Sequence, residues 1–281
     1  MNKRVNIPFS VDLTDKVVAI TGAGGVLMSR FAEALSECGA KVAILDIDEA
    51  AAERVAAAIG ENAIAIKTDC LSKASIIAAK ELIESRFGPV NFLINGAGGN
   101  NPRATTDNEY MTPDLPDEVK SFFDLSSDGL EFVFRLNIVS AFLVTQVFAE
   151  SMVKTGGNII NISSMNAFRP LTKIPAYSAA KAGISNFTQW LAVHFAPVNI
   201  RVNAIAPGFF VTNQNRALLY DDKGNPTART EKILAHTPLG RFGEVDDLIG
   251  TLLWLSDDRA SGFVTGTVIP VDGGFAAYSG V

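Results

Sequence analysis

The chain has 281 residues, of which 48% are hydrophobic and 19% charged, and its formal net charge is −6 at pH 7. No linker, charge run or repeat divides it, so we expect one domain over residues 1–281. An acidic chain without a basic stripe argues against nucleic-acid binding. The start lacks a signal-peptide apolar region, and no apolar run approaches the roughly 18 residues of a membrane span. Two cysteines and two histidines argue against a disulfide framework and a metal site, so we expect a cytoplasmic protein.

The first elements predict a dinucleotide-binding unit. A short apolar strand, Lys16–Ile20, leads into the turn Thr21-Gly22-Ala23-Gly24-Gly25 and an apolar-periodic helix. The next strand, Lys41–Leu45, ends at Asp46. The glycines let backbone approach a pyrophosphate, and the helix N-terminus offers N–H groups and a positive dipole. Asp46 can accept from both ribose hydroxyls and would repel a 2′-phosphate, which favours NAD over NADP; a solvated turn acid is the alternative.

Strands and helices continue to alternate after this unit, which predicts a parallel sheet. The predicted strands are Ala63–Lys67, Val90–Ile94, Asn158–Ile162, Ile200–Ile205 and Val268–Val271. The predicted helices are Glu49–Ile59, Lys73–Phe87, Leu130–Lys154, Ala176–Phe195 and Glu244–Leu255.

A long polar connection interrupts this alternation at about residues 100–128. It carries Pro102, Pro113 and Pro116, and then a predicted helical patch over Asp117–Phe123. Ordered connections of this length are often functional lids, so we predict a lid insertion here. A surface excursion or an oligomer contact is the alternative.

Ser164, Tyr177 and Lys181 together predict carbonyl chemistry. Tyr177 and Lys181 lie four residues apart in a predicted helix, so their tips can meet. A phenol has an ordinary pKa of about 10, and a nearby ammonium lowers it. Ser164 follows a predicted strand, and the loop after it could bring its hydroxyl beside the phenol. One hydrogen-bond donor, one proton donor and one positive charge suit ketone reduction or alcohol oxidation with a separate hydride carrier.

These segments, in this order, resemble the short-chain dehydrogenase/reductase family over roughly residues 14–275. The resemblance also rests on Asn95-Gly96-Ala97-Gly98 and on Pro207-Gly208-Phe209-Phe210-Val211-Thr212. It implies a single-domain α/β protein with a Rossmann-type, doubly wound, seven-stranded parallel sheet. It also implies an NAD-dependent enzyme that acts on CH–OH groups, a mobile substrate loop at about 209–237, and a homotetramer formed through residues 130–154, residues 176–195 and the C-terminal segment.

The resemblance implies roles for individual residues. Ser164 polarises the carbonyl, Tyr177 is the acid/base, Lys181 is its electrostatic partner, and Asn137 holds a water that joins Lys181 to solvent. Asp69 contacts the adenine amino group, although it could also cap the next helix. The residues expected at the cofactor are Gly22, Gly24, Gly25, Val26, Leu27, Asp46, Asp69, Cys70, Asn95, Ala97, Gly98, Tyr177, Lys181, Pro207, Gly208, Phe210 and Thr212.

Two segments depart from the family pattern. The family usually reads Thr-Gly-x-x-x-Gly-x-Gly, but here the last two glycine positions hold Val26 and Met28. In the family's Asn-Asn-Ala-Gly, the second position is Gly96. The larger side chains of Val26 and Met28 could move the helix that follows the glycine turn away from the sheet, or alter the pose of the pyrophosphate. The rest of the unit is intact, so the cofactor class should not change.

Three loops should converge near Tyr177 and form the substrate site. Amides pair with hydroxyls and arginine binds carboxylates, so such a wall suits a small, hydroxylated, anionic substrate. Its members are Asn100, Arg103, Asn166, Arg169, Asn213 and Arg216, although each arginine could instead be a surface residue. The long insertion and the Asn-Gln-Asn-Arg run resemble the sugar-acid oxidoreductases of the family.

We therefore predict interconversion of D-mannonate and D-fructuronate with NAD(H). Gluconate 5-dehydrogenase activity, or another sugar dehydrogenase activity, is the nearest alternative. A 3-oxoacyl thioester reductase would call for a basic docking patch and an apolar tunnel, and neither is evident. A non-catalytic NAD-binding protein would have no need of all four residues Asn137, Ser164, Tyr177 and Lys181.

Overall fold

A computed structural model describes residues 10–212 and 216–280 of the chain. Seven parallel strands form one sheet in the order β3-β2-β1-β4-β5-β6-β7, which confirms the predicted doubly wound α/β fold. The apolar runs of the five inner strands are buried on both faces, as parallel strands between helical layers require, while the two edge strands are only partly buried. The strands are β1 Val17–Thr21, β2 Lys41–Asp46, β3 Ala63–Lys67, β4 Phe92–Asn95, β5 Gly157–Ile162, β6 Ile200–Pro207 and β7 Val268–Val271.

Helices cover both faces of the sheet. The α-helices are α1 Val26–Glu37, α2 Glu49–Ile59, α3 Lys73–Phe87, α4 Ser127–Phe134, α5 Ser140–Met152, α6 Pro175–Phe195, α7 Arg216–Leu219, α8 Ala228–Ala235, α9 Ile249–Ser256 and α10 Asp258–Ser261. One core cluster joins α3, α5 and α6 to the sheet. A second cluster joins α1, α2 and α9 to the opposite face. These two layers hold the strand ends in fixed positions, and the strand ends carry the site.

The insertion differs from the prediction. The helical patch expected over Asp117–Phe123 is wrong, since the described chain has only a 3₁₀ turn at Phe122–Asp124 there. Ser121 and Asp124 cap that turn reciprocally, and these short polar side chains stabilise a turn in place of a longer helix. The predicted loop at 209–237 contains two helices, α7 and α8.

The helix predicted over Leu130–Lys154 begins earlier, at Ser127, and a π-helical turn at Arg135–Val139 separates α4 from α5. By length and composition alone, the continuous stretch Ser127–Met152 is long and apolar enough to cross a membrane, although Glu131 and Arg135 interrupt its apolar run. The core helix of a soluble protein passes the same test, and half of its apolar window is buried in the fold.

The strand order reverses between β1 and β4, which lie side by side although two strands separate them in sequence. In such sheets, ligands bind in the crevice at the carboxyl ends of the strands near this reversal. The ends of β1, β2, β4, β5 and β6 carry the predicted cofactor and catalytic segments to that one edge.

Candidate active site

A cleft of about 730 Å³ lies at this edge of the sheet, in front of the N-terminus of α1. The N-cap residue of α1 is Gly25, which has no side chain to cap the first N–H groups of the helix. Those groups and the helix dipole make an anion site of the kind that binds a pyrophosphate. The predicted cofactor residues that line the cleft are Gly22, Gly24, Gly25, Val26, Leu27, Asp46, Asp69, Cys70, Ala97, Gly98 and Thr212.

Asp46 is fixed at the lip of this cleft by two backbone donors. One carboxylate oxygen accepts from the Gly24 N–H at 2.8 Å and the other from the Asp48 N–H at 3.0 Å. A Cβ on Gly24 would lie only 3.0 Å from the carboxylate, so glycine is needed for this close approach. The arrangement presents a carboxylate beside the glycine turn, where a ribose would follow a pyrophosphate.

The remaining predicted cofactor residues have other positions. Asn95 is buried, and its side-chain N–H₂ donates to Asn161 and Thr145 in the core, so it holds β4 to its neighbours. Phe210 is also buried, and its ring lies against Gly243. Gly208 follows Pro207 at the end of β6, where a Cβ would meet Asp272 at 2.6 Å.

Lys181 is buried on α6, and its ammonium donates to the Ile162 carbonyl at the end of β5 at 2.8 Å. Burial lowers the pKa of Lys181 to about 8. The same ammonium lies 5.6 Å from the centre of the Tyr177 ring, so the two side chains meet as their spacing predicts.

Tyr177 is half-buried against a small cluster formed by the insertion, α4 and α6. Burial raises the pKa of its phenol, and a hydrogen bond with the Ser164 side chain opposes that rise. The net lowering of the phenol's pKa that the sequence suggested is wrong for this structure, because desolvation is the largest effect. The phenol therefore keeps its proton at neutral pH.

Ser164 and Lys181 are tied to each other through β5. Ser164 caps a 3₁₀ turn, Met165–Ala167, by accepting from the Asn166 N–H at 3.2 Å. The neighbouring Ser163 hydroxyl contacts the Lys181 carbonyl at 3.2 Å and the Ser185 hydroxyl at 2.8 Å. The strand that carries Ser164 is thus bonded to the helix that carries Tyr177 and Lys181.

Asn137 lies in the π-helical turn, a helix irregularity that is frequent at functional sites. Its side-chain N–H₂ donates to the Gly99 carbonyl at 2.7 Å and the Val133 carbonyl at 2.8 Å, and its oxygen accepts from the Gly99 N–H. Gly98 lies between this side chain and Lys181, so the three residues meet behind the cleft.

The predicted substrate residues divide by burial. Asn166 is 4% exposed and adjacent to Ser164, and its side-chain oxygen has no hydrogen-bond partner among the described residues. Arg103, Arg169 and Arg216 are exposed, and Arg216 lies over the ring of Tyr220. Asn100 is exposed and donates to Thr105, while Asn213 lies outside the described residues.

Comparisons with known proteins agree with this geometry. A family model described as enoyl-(acyl carrier protein) reductase matches residues 28–276. The chain belongs to the short-chain dehydrogenase/reductase family. It is therefore an oxidoreductase that acts on CH–OH groups with a nicotinamide cofactor.

Three relatives in this family are informative. An uncharacterized oxidoreductase from Haemophilus influenzae is 57% identical, with 100% of both chains covered. A crystal structure from the same organism, described as a candidate D-mannonate oxidoreductase with bound NAD, is 57% identical with a TM-score of 0.94 and covers 98% of this chain and 100% of that one. A 2-dehydro-3-deoxy-D-gluconate 5-dehydrogenase from Formosa agariphila is 34% identical, with 96% of this chain and 97% of the other covered.

Some cleft residues of this family member escape sequence reasoning. Phe132 and Leu136 line the cleft from α4 and the π-helical turn, and Met28 and Gly96 line it from α1 and the loop after β4. Phe132 and Leu136 are apolar residues at helical spacing, which is also the pattern of a core face. The departures from the glycine motif at Met28 and from the Asn-Asn-Ala-Gly motif at Gly96 were a usable signal for these two residues.

Proposed function

We propose that the protein interconverts D-mannonate and D-fructuronate with NAD(H). The observation that carries the oxidoreductase chemistry is the meeting of Ser164, Tyr177 and Lys181 beside a cleft with an uncapped helix N-terminus. The likeness to the candidate D-mannonate oxidoreductase that was solved with NAD supports this choice of substrate. Asn137, Ser164, Tyr177 and Lys181 are the proposed catalytic residues.

In the direction of reduction, NADH when bound supplies a hydride to the carbonyl carbon, and the protein supplies the proton. Tyr177 gives its phenolic proton to the carbonyl oxygen as the C=O π bond breaks, which yields the alcohol. Ser164 donates a hydrogen bond to the same oxygen and so stabilises the developing negative charge. Lys181, as an ammonium, stabilises the phenolate that remains.

The pKa directions favour this assignment of the proton. Burial raises the phenol's pKa, so Tyr177 is protonated before a ketone arrives. Oxidation needs the phenolate and is therefore expected to require a higher pH than reduction. Proton transfer by a positioned group contributes about 10²–10⁴-fold to the rate.

Asp46 supports NAD as the cofactor. The two backbone donors hold the carboxylate in place at the cleft, where it would accept from ribose hydroxyls. A 2′-phosphate at that position would face a like charge. We expect kcat/KM with NADH to exceed that with NADPH, and Asp46→Ala to reduce the difference; a preference of the unsubstituted enzyme for NADPH would contradict the assignment.

Asn166 supports a hydroxylated substrate. A buried amide oxygen without a partner is costly, so it is a fitting acceptor for a substrate hydroxyl next to the reacting carbon. Arg103, Arg169 and Arg216 remain the proposed carboxylate-binding residues, with Asn100 and Asn213 as further hydroxyl partners. Because the three arginines are exposed, we expect them to bind the carboxylate at the mouth of the site.

Initial rates with a panel of ketones and NADH test the proposal. The panel is D-fructuronate, 5-keto-D-gluconate, 2-dehydro-3-deoxy-D-gluconate oxidised at C5, a neutral ketose and a 3-oxoacyl thioester. We expect D-fructuronate to give the highest kcat/KM, with Arg103→Ala and Arg216→Ala weakening the acids selectively. The relative from Formosa agariphila makes a 5-dehydrogenase activity the second candidate. A preference for the neutral ketose or the thioester would overturn the carboxylate assignment, and NADH binding without turnover of any ketone would indicate a binding protein.

A further inference from the structure

Met28 and Gly96 contact each other on the floor of the cleft. Met28 lies on α1 and is 4% exposed, and Gly96 begins the loop after β4. A Cβ added to Gly96 would lie 2.5 Å from Cγ of Met28 and closer still to its sulfur. Real Cβ atoms do not approach so closely, so the methionine side chain occupies the space that any side chain at position 96 would need.

The same loop is also bonded directly to the glycine turn. The hydroxyl of Thr21 accepts from the Gly96 N–H at 3.0 Å and from the Ala97 N–H at 3.1 Å. A Cβ on Gly22, which has a φ of +68°, would lie 3.0 Å from the Ala97 backbone. The two cofactor-binding loops therefore pack backbone against backbone, with the Met28 side chain beside the contact.

The far end of the loop reaches the catalytic residues. A Cβ on Gly98 would lie 3.1 Å from the Lys181 ammonium and 2.7 Å from the Asn137 side-chain oxygen. Residues 96–98 are thus wedged between Met28 at one end and Lys181 with Asn137 at the other. A shift of the loop at Gly96 would be passed to Gly98, because the packed neighbours at both ends leave the loop free only toward the cleft.

We propose that Met28 is a positioning residue that acts through Gly96, and that these two departures from the family pattern compensate for each other. The thioether supplies from α1 the bulk that a side chain at position 96 would supply from the loop. The Met28 side chain thereby holds residues 96–98 in place at the edge of the cleft and in contact with Lys181. The inference rests on the proposed NAD binding.

The test is a double-mutant cycle of Gly96→Ala and Met28→Ala, with Met28→Leu as the volume-matched control. The dissociation constant of NADH is measured by its fluorescence, and the Tm of the cofactor-free protein is measured alongside. We expect Gly96→Ala alone to weaken NADH binding about tenfold or more, which is within the coupling of residues in contact. We expect the double variant to bind within about threefold of Met28→Ala, because the two atoms nearest to the added methyl group belong to Met28 and are then absent, and only the Thr21 carbonyl still crowds it.

The same cycle is run for kcat at saturating NADH, since residues 96–98 also touch Lys181. The Gly96→Ala loss should again be recovered in the double variant, and Met28→Leu, which keeps most of the bulk, should lose less than Met28→Ala in both readouts. Additive losses would overturn the proposal and leave the Thr21 carbonyl, 2.6 Å from a Cβ at position 96, as the sole obstacle. A Tm loss with unchanged NADH binding would also overturn it. If the unsubstituted protein does not bind NADH, the proposed function itself fails.

Discussion

At Tyr177, burial and the neighbouring groups have opposite effects on the pKa of the phenol. The spacing of Tyr177 and Lys181 predicted that the side chains meet, and they do. The same spacing suggested a lowered phenol pKa, yet the structure raises it, because burial outweighs the hydrogen bond with Ser164. The Lys181 ammonium donates a hydrogen bond to the Ile162 carbonyl, and it is itself desolvated by burial, which lowers its pKa.

Replacement of Tyr177 by phenylalanine keeps the ring and removes the proton donor. We expect the turnover of D-fructuronate to fall by about 10²–10⁴-fold, which is the usual contribution of general acid–base catalysis. NADH fluorescence titration should show binding within about twofold of the unsubstituted enzyme, because the packed ring is retained. Turnover that is unchanged in Tyr177→Phe would show that another group donates the proton.

The pKa of Lys181 predicts a pH dependence. Its value of about 8 means that the ammonium is present below pH 8 and is lost as the pH rises through 8. We expect kcat/KM for ketone reduction to fall above pH 8 with a slope of one proton, measured between pH 6 and 9.5. In Lys181→Arg, whose guanidinium stays charged, any residual rate should lack this step. A profile of the unsubstituted enzyme that is flat through pH 8 would contradict the role of the ammonium.

The insertion at 100–128 is anchored to both of the other segments that are proposed to form the substrate site. Its Thr106 N–H donates to the carbonyl of Lys173, the residue with a φ of +73° just before α6. Its Glu109 forms an ion pair with Lys232 of α8, and the Lys232 ammonium also lies 6.0 Å from the Tyr110 ring. We propose that these contacts hold the insertion as a lid over the site.

The lid predicts a selective effect of Lys232→Ala. Exposed ion pairs contribute about 0–1 kcal/mol, so we expect KM for the sugar acid to rise about twofold to fivefold, with KM for NADH unchanged. The charge exchange Glu109→Lys with Lys232→Glu should recover the loss, and Lys223→Ala, an exposed lysine of the same loop, should have no effect. A change in light scattering without a change in KM would make the insertion an interface element instead.

Apolar side chains on α5 and α6 remain exposed, and they bear on how copies of the whole molecule associate. Trp190 is 56% exposed and Val193 is 79% exposed, and Phe142 stacks on Phe187 beside them. A contiguous apolar surface of this kind is typical of a protein interface. It lies on the two helical segments through which the family resemblance implies a homotetramer.

We expect Trp190→Glu with Val193→Glu to reduce the molar mass in solution below that of the unsubstituted protein, because two buried carboxylates would oppose the contact. Light scattering with size exclusion measures the mass, and circular dichroism verifies that the fold is retained. Leu82→Glu, at a half-exposed leucine of α3, is the control and should leave the mass unchanged. An unchanged mass in the double variant would place any interface elsewhere.

Patterns formed by residues that are close in sequence predict most helices and strands, and the glycine turn with Asp46. They also predict the catalytic set of Ser164, Tyr177 and Lys181. They do so because strand and helix periodicity, and the position of a residue at a strand end, are local properties. The short helices of the 209–237 loop and the turn at Phe122–Asp124 were not predicted correctly, because capping and long-range contacts outweigh weak local preference there. The fit of Met28 over Gly96, the ion pair of Glu109 with Lys232, and the pKa of Tyr177 depend on how closely distant segments approach. Only packing sets those distances, since a shift of a few tenths of an ångström decides whether a side chain fits or a charge is desolvated.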